Sequence, residues 1–361
     1  MEKIIFITRN MKAGGAERVI AQLANYFNKT KIQCTIITLD NEEIFYELDN
    51  NINIFPIGRK SRNPYIDKIQ KYREIRRYVQ RSKPSIVLAL PEEIGIYVIP
   101  ALIGTNVPVV VSERNNPWVM PWKKETRLLR KLFYPLAAGF VFQTEQAASF
   151  FSSSIRKKSI VLPNPLDLNR IPLQRIEKRR KEVVGAGRLD KQKNFPLLIQ
   201  SFAKFHKKYP EYVLTIYGEG ALRGELEKLA VSLLPEGTYS FPGKTKDLLE
   251  KINGASMFIL SSDYEGMPNV VIEAMAMGMP VVSTDCPSGG SAELIQNGKN
   301  GILVPVGDRD SLALAMSKIA GSDDFANKLG KNAQEVKKLL NSDVVSKDWK
   351  NYLDTIVGVN S

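Results

Sequence analysis

Short, almost wholly apolar runs recur along this chain and alternate with longer segments of helical period. The first series lies at residues 4–7, 34–39, 52–57, 86–90, 109–111 and 140–142. Between its first two members, after Gly14-Gly15, Val19, Leu23, Tyr26 and Phe27 repeat at helical spacing. A strand wet on one face alternates apolar with polar residues, whereas a strand covered on both faces reads as a continuous apolar run. Ile4-Ile5-Phe6-Ile7 and Val109-Val110-Val111 are of the second kind, which predicts a parallel sheet with helices on both sides. The series pauses over the charged stretch 171–181. It resumes at residues 183–185, 213–217, 257–260, 280–284 and 302–304, with helical segments over 195–208, 221–233 and 270–277. The pattern predicts an α/β chain of two Rossmann-like, doubly wound units. An N-terminal domain is expected over 1–166, a C-terminal domain over 182–340, and a helical tail over 341–361 that crosses back to the first domain. Ligands of such sheets bind beyond the carboxyl ends of the strands, so the cleft between the two units is the expected site.

Composition removes several chemistries. Two cysteines, Cys34 and Cys286, exclude a disulfide framework and leave a cysteine zinc site short of ligands. They are expected to pack as small apolar side chains. The single histidine, His206, sits in a basic helix end and reads as a surface residue, so a Ser-His-Asp triad is all but excluded. The apolar run at the N-terminus is too short for a signal peptide, and the stretch 94–103 is too short for a membrane span. A soluble cytoplasmic protein is expected. Asp308-Arg309-Asp310 resembles a metal-binding acidic pair, but Ser311 and an apolar helical period follow, so a helix start is expected and no metal.

The chemistry concentrates in the second half. Glu265 and Glu273 stand eight positions apart, the first in the Gly266-Met267-Pro268-Asn269 loop and the second in the following helix. Free N–H groups and the helix dipole favour an anion there, and an acidic side chain accepts hydrogen bonds from sugar hydroxyls. The same residues would also serve as an ordinary first-turn acid and a surface glutamate. Arg188 and Lys193 follow Gly185-Ala186-Gly187 at a strand's carboxyl end, where two cations suit a diphosphate or simply remain solvated. Tyr217-Gly218-Glu219-Gly220 ends the next strand and lacks the third glycine of a dinucleotide fingerprint.

Taken in order, Gly187-Arg188-Leu189, Lys193-Asn194, Tyr217-Gly218-Glu219-Gly220, Glu265…Glu273 and Asn297-Gly298-Lys299-Asn300-Gly301 resemble the retaining glycosyltransferases of family 4, which have the two-domain GT-B fold. Gly14-Gly15-Ala16-Glu17-Arg18 and Val111-Ser112-Glu113-Arg114-Asn115 extend the likeness into the first half. The resemblance implies a donor site in the second domain and an acceptor site in the first. It implies that Arg188 and Lys193 hold the donor diphosphate, Glu265 contacts the transferred sugar and Glu273 binds the ribose. The loop of Gly266, Met267, Pro268 and Asn269 would contact sugar and phosphate through its backbone, with the N–H groups of Gly266, Met267 and Asn269 as donors. Gly14 and Gly15 would approach the diphosphate, and Gly218, Gly243 and Lys244 would line the donor site, the last two beside the base. Many relatives carry a histidine where this chain has Arg114, so a histidine base is excluded. Arg114 is expected either to steady charge on the leaving phosphate or to form a structural ion pair with Glu113 or another acid. The Ser112-Glu113-Arg114 segment and residues 121–135 resemble the bacterial branch that extends polyprenyl-diphosphate-linked oligosaccharides for surface polysaccharide. A UDP-sugar donor is implied, with N-acetylgalactosamine as the first choice of sugar and galactose or N-acetylglucosamine close behind, and no other cofactor.

Charge divides unevenly. Of the net +13, residues 1–170 carry 26 basic and 15 acidic side chains, a surplus of +11. Ten basic residues fall between Arg59 and Lys83, and Tyr65, Ile69, Tyr72, Ile75 and Val79 form an apolar stripe along the same helix. Trp118, Trp122, Lys123, Lys124 and residues 127–134 mix aromatics with cations. These surfaces suit the anionic inner face of a plasma membrane and a diphosphate-linked lipid, although the stripe would equally serve as core. No nucleic-acid reader motif is present. A non-hydrolysing nucleotide-sugar epimerase and a non-catalytic basic membrane binder are the other classes compatible with this pattern.

Overall fold

The computed structural model describes residues 1–40, 44–173 and 178–359. Part of the charged stretch 171–181 and the last two residues of the expected tail lie outside the described residues. The chain divides into two compact units, one of residues 1–165 with 342–361 and the other of residues 166–341.

In the first unit the parallel strands are β1 (Lys3–Thr8), β2 (Gln33–Thr38), β3 (Asn53–Pro56), β4 (Ile86–Ala89), β5 (Val109–Ser112), β6 (Gly139–Phe142) and β7 (Ser159–Val161). Among the described residues they run in the order β3-β2-β1-β4-β5-β6-β7. The helices α1 (Gly15–Lys29), α2 (Pro64–Ser82), α3 (Glu92–Leu102) and α4 (Lys124–Phe133) connect them. The apolar runs work as their lack of alternation requires. Ile4 and Phe6 enter the core beneath α1, and Ile5 and Ile7 enter the core beneath α2 and α3, all four fully buried.

The second unit repeats the plan with β8 (Arg180–Ala186), β9 (Val213–Tyr217), β10 (Tyr239–Gly243), β11 (Ala255–Leu260), β12 (Val281–Thr284) and β13 (Ile302–Val304), ordered β10-β9-β8-β11-β12-β13. Val183 and Val184 again serve opposite cores.

One boundary differs from the sequence reading. Leu166 lies in the second unit, where it bridges to Asn341, so the described part of the connecting stretch belongs there and not to a free linker. The helix Ser342–Val359 crosses back to the first unit, as expected of the tail, and its Trp349 is completely buried in the α1 core there. Tyr352 seals that seam, its hydroxyl donating to the Lys158 carbonyl at 2.7 Å and accepting from the Phe140 N–H at 2.9 Å.

His206 is also not where its basic neighbours suggested. Only 8% exposed, it places Nδ1 3.1 Å from the Tyr212 carbonyl and its ring 5.4 Å from that of Phe202. The aromatic cluster at the end of helix Phe195–His206 covers it. Asp308 does start a helix, its side chain accepting from the N–H groups of Asp310 and Ser311. Both cysteines are buried.

Candidate functional site

In the second unit β8, β9 and β10 end side by side in glycine. Gly187 donates to the Tyr217 carbonyl, and Gly218 donates to the Gly243 carbonyl, each at 3.0 Å. Gly218 has φ +142°, and a Cβ there would stand 1.8 Å from the Gly187 carbonyl oxygen. Only glycine lets these strand ends close so tightly, which explains the residue choice in Tyr217-Gly218-Glu219-Gly220. Gly243 and Lys244 follow at the end of β10, with Lys244 exposed.

The next strand end over, that of β11, carries the acid. Glu265 is 6% exposed and sits among donors. Lys193 Nζ lies 2.5 Å from its Oε1, Ser262 Oγ donates to the same oxygen at 2.6 Å, and Gln192 Nε2 reaches Oε2 at 3.4 Å. A short helical turn, Lys191–Lys193, delivers Gln192 and Lys193. Asp190 caps it by accepting from the Lys193 N–H, and Asn194 ties its end to Asp263 at 2.6 Å. Hydrogen-bond donors at this density offset the cost of burying a carboxyl group.

The loop Gly266 to Pro268 is buried and leads into helix Asn269–Ala276, whose N-cap Pro268 supplies no side-chain acceptor. Its backbone path is set from behind. Ser288 Oγ donates to the Glu265 carbonyl, and a Cβ on Gly290 would fall 1.6 Å from the Gly266 carbonyl oxygen. Glu273 lies on the same helix and is 5% exposed, not a surface glutamate.

Arg188 differs from Lys193. Its side chain is 74% exposed and reaches Asp190 at 3.4 Å and Gln192 at 3.3 Å, without touching Glu265. The two cations read as equivalent in the sequence are therefore one exposed and one buried.

In the first unit Gly14 is the N-cap of α1, and the Tyr46 hydroxyl holds it by accepting from its N–H and donating to its carbonyl. Gly15 is the first residue of the helix. Arg114, at the end of β5, makes no ion pair with Glu113. Its guanidinium donates to Ser112 Oγ at 3.3 Å and to Asn164 Oδ1, and lies 6.0 Å from the Trp349 ring. Burial pushes it down to about 9, against the attraction of Glu92, so it stays charged at neutral pH. Glu113 instead accepts from the Tyr134 hydroxyl, and its Oε2 has no partner among the described residues. Burial and the neighbouring Glu92 push this carboxyl up to about 8.

Sequence reasoning missed Gln192, Ser262, Ser288, Tyr46 and the buried Glu92–Glu113 pair. For Ser262 and Gln192 a signal existed, since each adjoins a chosen residue: Ser262 is three positions before Glu265, and Gln192 immediately precedes Lys193. Tyr46 and Ser288 carry no local signal. Among the described residues no group of three His, Cys, Asp or Glu side chains could hold a metal ion.

Residues 13–170 match the family described as Glycosyltransferase Family 4, and residues 171–336 match that described as Glycosyl transferases group 1. Two solved structures share the architecture across both units. Anabaena HepE, in complex with UDP and glucose, gives a TM-score of 0.83 at 17% identity, over 98% of this chain and 100% of that one. The sucrose-phosphate synthase of Thermosynechococcus elongatus gives 0.85 at 19%, over 99% and 100%. The chain belongs to the GT-B glycosyltransferases. The enzyme is 27% identical over 356 residues to a Campylobacter jejuni relative, covering 97% of each chain. That relative is named GalNAc-alpha-(1->4)-GalNAc-alpha-(1->3)-diNAcBac-PP-undecaprenol alpha-1,4-N-acetyl-D-galactosaminyltransferase. Among the described residues of the glycosyltransferase no helix is long and apolar enough to cross a membrane.

Proposed function

We propose that this glycosyltransferase retains anomeric configuration and transfers N-acetylgalactosamine from UDP to a polyprenyl-diphosphate-linked glycan in surface polysaccharide assembly. The observation that carries the reading is the buried Lys193–Glu265 pair with Ser262 and Gln192 at the strand ends of the second unit. In this reading Glu265 accepts hydrogen bonds from hydroxyls of the transferred sugar, and its donors hold it aimed. Lys193 and the exposed Arg188 neutralise the donor diphosphate as the glycosidic bond breaks, so no metal is assigned. Glu273 binds the ribose, and the N–H groups of Gly266, Met267 and Asn269 meet sugar and phosphate at the helix N-terminus. Gly218 lines the donor site, and Gly243 and Lys244 seat the base. The acceptor oxygen attacks the face from which the phosphate leaves, and the departing phosphate oxygen takes the acceptor proton. In the first unit, where the Gly14 N–H is taken by Tyr46, the pair Gly14 and Gly15 lets an anion approach the first turn of α1. Arg114, a buried cation whose guanidinium donates to Ser112 and Asn164 with Glu92 nearby, serves a phosphate.

The Campylobacter relative's name supports the sugar and the lipid-linked acceptor, and the UDP in HepE supports the donor. The surplus of +11 over residues 1–170 supports a peripheral site of work at the anionic inner face of the plasma membrane.

The test supplies UDP-N-acetylhexosamines and UDP-hexoses with polyprenyl-diphosphate glycans and reads the anomeric configuration of the product by NMR. An α-linked product, lost in Glu265→Gln while UDP binding persists, is expected. A β-linked product overturns retention, absence of transfer from every UDP-sugar overturns the donor assignment, and a fully active Glu265→Gln overturns the role of that residue.

A further inference from the structure

Helix α4 sets only part of its apolar surface, the half-buried Leu129 and Phe133, against the core. A helix that packs on a sheet ordinarily turns its apolar side chains inward and its charges to water. Here the fully buried position belongs to Arg130, whose guanidinium donates to the carbonyls of Met120 at 2.8 Å and Pro117 at 3.0 Å. The Phe150 ring lies 4.7 Å from it. These contacts fix the rotation of the helix. With Arg130 inward, Leu128 and Leu132 point outward at 69% and 63% exposure, and Leu136 continues the line at 60%. Trp122, also 60% exposed, stands just before the helix. Lys124 and Lys131 flank the leucines on one side and Glu125 on the other, with Lys123 adjoining. Residues 122–136 hold five basic side chains and one acidic.

A second exposed cluster lies in the same helix layer, in which α3 packs against both α2 and α4. The apolar stripe of α2 divides. Ile75 and Val79 are core, whereas Tyr65, Ile66 and Ile69 in its first turns are exposed. Arg59, Lys60, Arg62 and Lys68 surround them. Arg76, in the half of the helix that reads as basic surface, is committed elsewhere: it donates to the carbonyls of Ala101 and Ile103. Both clusters follow strand carboxyl ends, α2 after β3 and Trp118–Trp122 after β5, so they share one edge of the unit.

We propose that α4 lies in the interface of an anionic bilayer, with its leucines inserted and the first turns of α2 as a second contact. This deepens the reading of a lipid-linked acceptor and rests on it. A convex row of leucines edged by lysines, with a tryptophan at its end, has the chemistry of an in-plane interfacial helix. The orientation sets the strand-end edge of the first unit against the membrane, where a diphosphate-linked lipid presents its headgroup.

The test measures binding of the full chain to vesicles of neutral phospholipid and of neutral phospholipid with one quarter anionic lipid, neither containing donor or acceptor. Binding to the anionic vesicles is expected to fall at least tenfold in Leu128→Ser/Leu132→Ser and in Lys123→Glu/Lys124→Glu/Lys131→Glu, and to weaken in high salt. All these positions are exposed, so the thermal midpoint should stay unchanged, and transfer to a water-soluble acceptor should stay within twofold. Leucine variants that bind within twofold of the parent overturn the proposal. So does a leucine variant that instead dissociates an oligomer while keeping its vesicle binding, since the face then joins copies of the chain. Vesicle binding in a protein that transfers no sugar would sink only the proposed function, and transfer without vesicle binding only this inference.

Discussion

Replacing Lys193 by methionine tests whether the site acid is held by its neighbours as the geometry requires. Lys193 and Glu265 approach to 2.5 Å with side chains 14% and 8% exposed. At an effective dielectric constant of about 20, that separation corresponds to a gross attraction of about 6–7 kcal/mol. Desolvation of both ions offsets much of it. Removing one member of such a buried pair costs roughly 3–5 kcal/mol, because the other charge is left behind. Ser262 and Gln192 still serve Glu265, so the lower figure, about 3 kcal/mol, applies to Lys193→Met. For a unit of this size that lowers the melting midpoint by roughly 6–12 °C. Calorimetry of the full chain reads it at neutral pH. Lys193→Met/Glu265→Leu removes both charges together and should recover most of the loss, giving a coupling of about 2 kcal/mol or more in the double-mutant cycle. A single variant that melts within 2 °C of the parent, or additive losses in the double variant, would refute the reasoning.

Two further outcomes follow from the same contacts. Gly290→Ala forces a methyl group against the Gly266 carbonyl, so the loop from Gly266 to Asn269 must shift, and UDP affinity measured by titration calorimetry should fall at least tenfold; unchanged affinity would show that the loop amides do not serve the donor. Glu113 is raised to about 8 in the folded chain against roughly 4.3 when unfolded. Between those values the folded state holds the extra proton, so stability is full below the lower one and declines as pH rises toward 8, at up to roughly 1.4 kcal/mol per pH unit. The parent should therefore lose more melting temperature between pH 5.5 and 8.5 than Glu113→Gln, which keeps an acceptor for Tyr134; parallel profiles would reject the assignment.

The strands and their parallel, doubly covered arrangement were legible because burial on both faces leaves its mark in consecutive residues, as in Ile4 to Ile7. The glycines at strand ends and the Glu265 to Glu273 spacing were legible for the same reason: loop, cap and helix are local. Partnership across the chain was not. Lys193 and Glu265 are 72 positions apart, and nothing in either segment says that this lysine is buried against the acid while Arg188 stays in water. The apolar period of α2 marked a face but not what covers it. Packing made Ile75 and Val79 core and left Tyr65 and Ile69 outside. Arg130 took a buried place on α4 by finding carbonyl partners inside, and the cluster of Phe202 and Tyr212 enclosed His206. Trp349 closed the first unit from the far end of the chain. Sequence by itself determined which elements form, because periodicity and turn chemistry act over a few residues. Tertiary structure alone decided which charges are paired and which apolar faces remain open, because those depend on neighbours that only folding brings together.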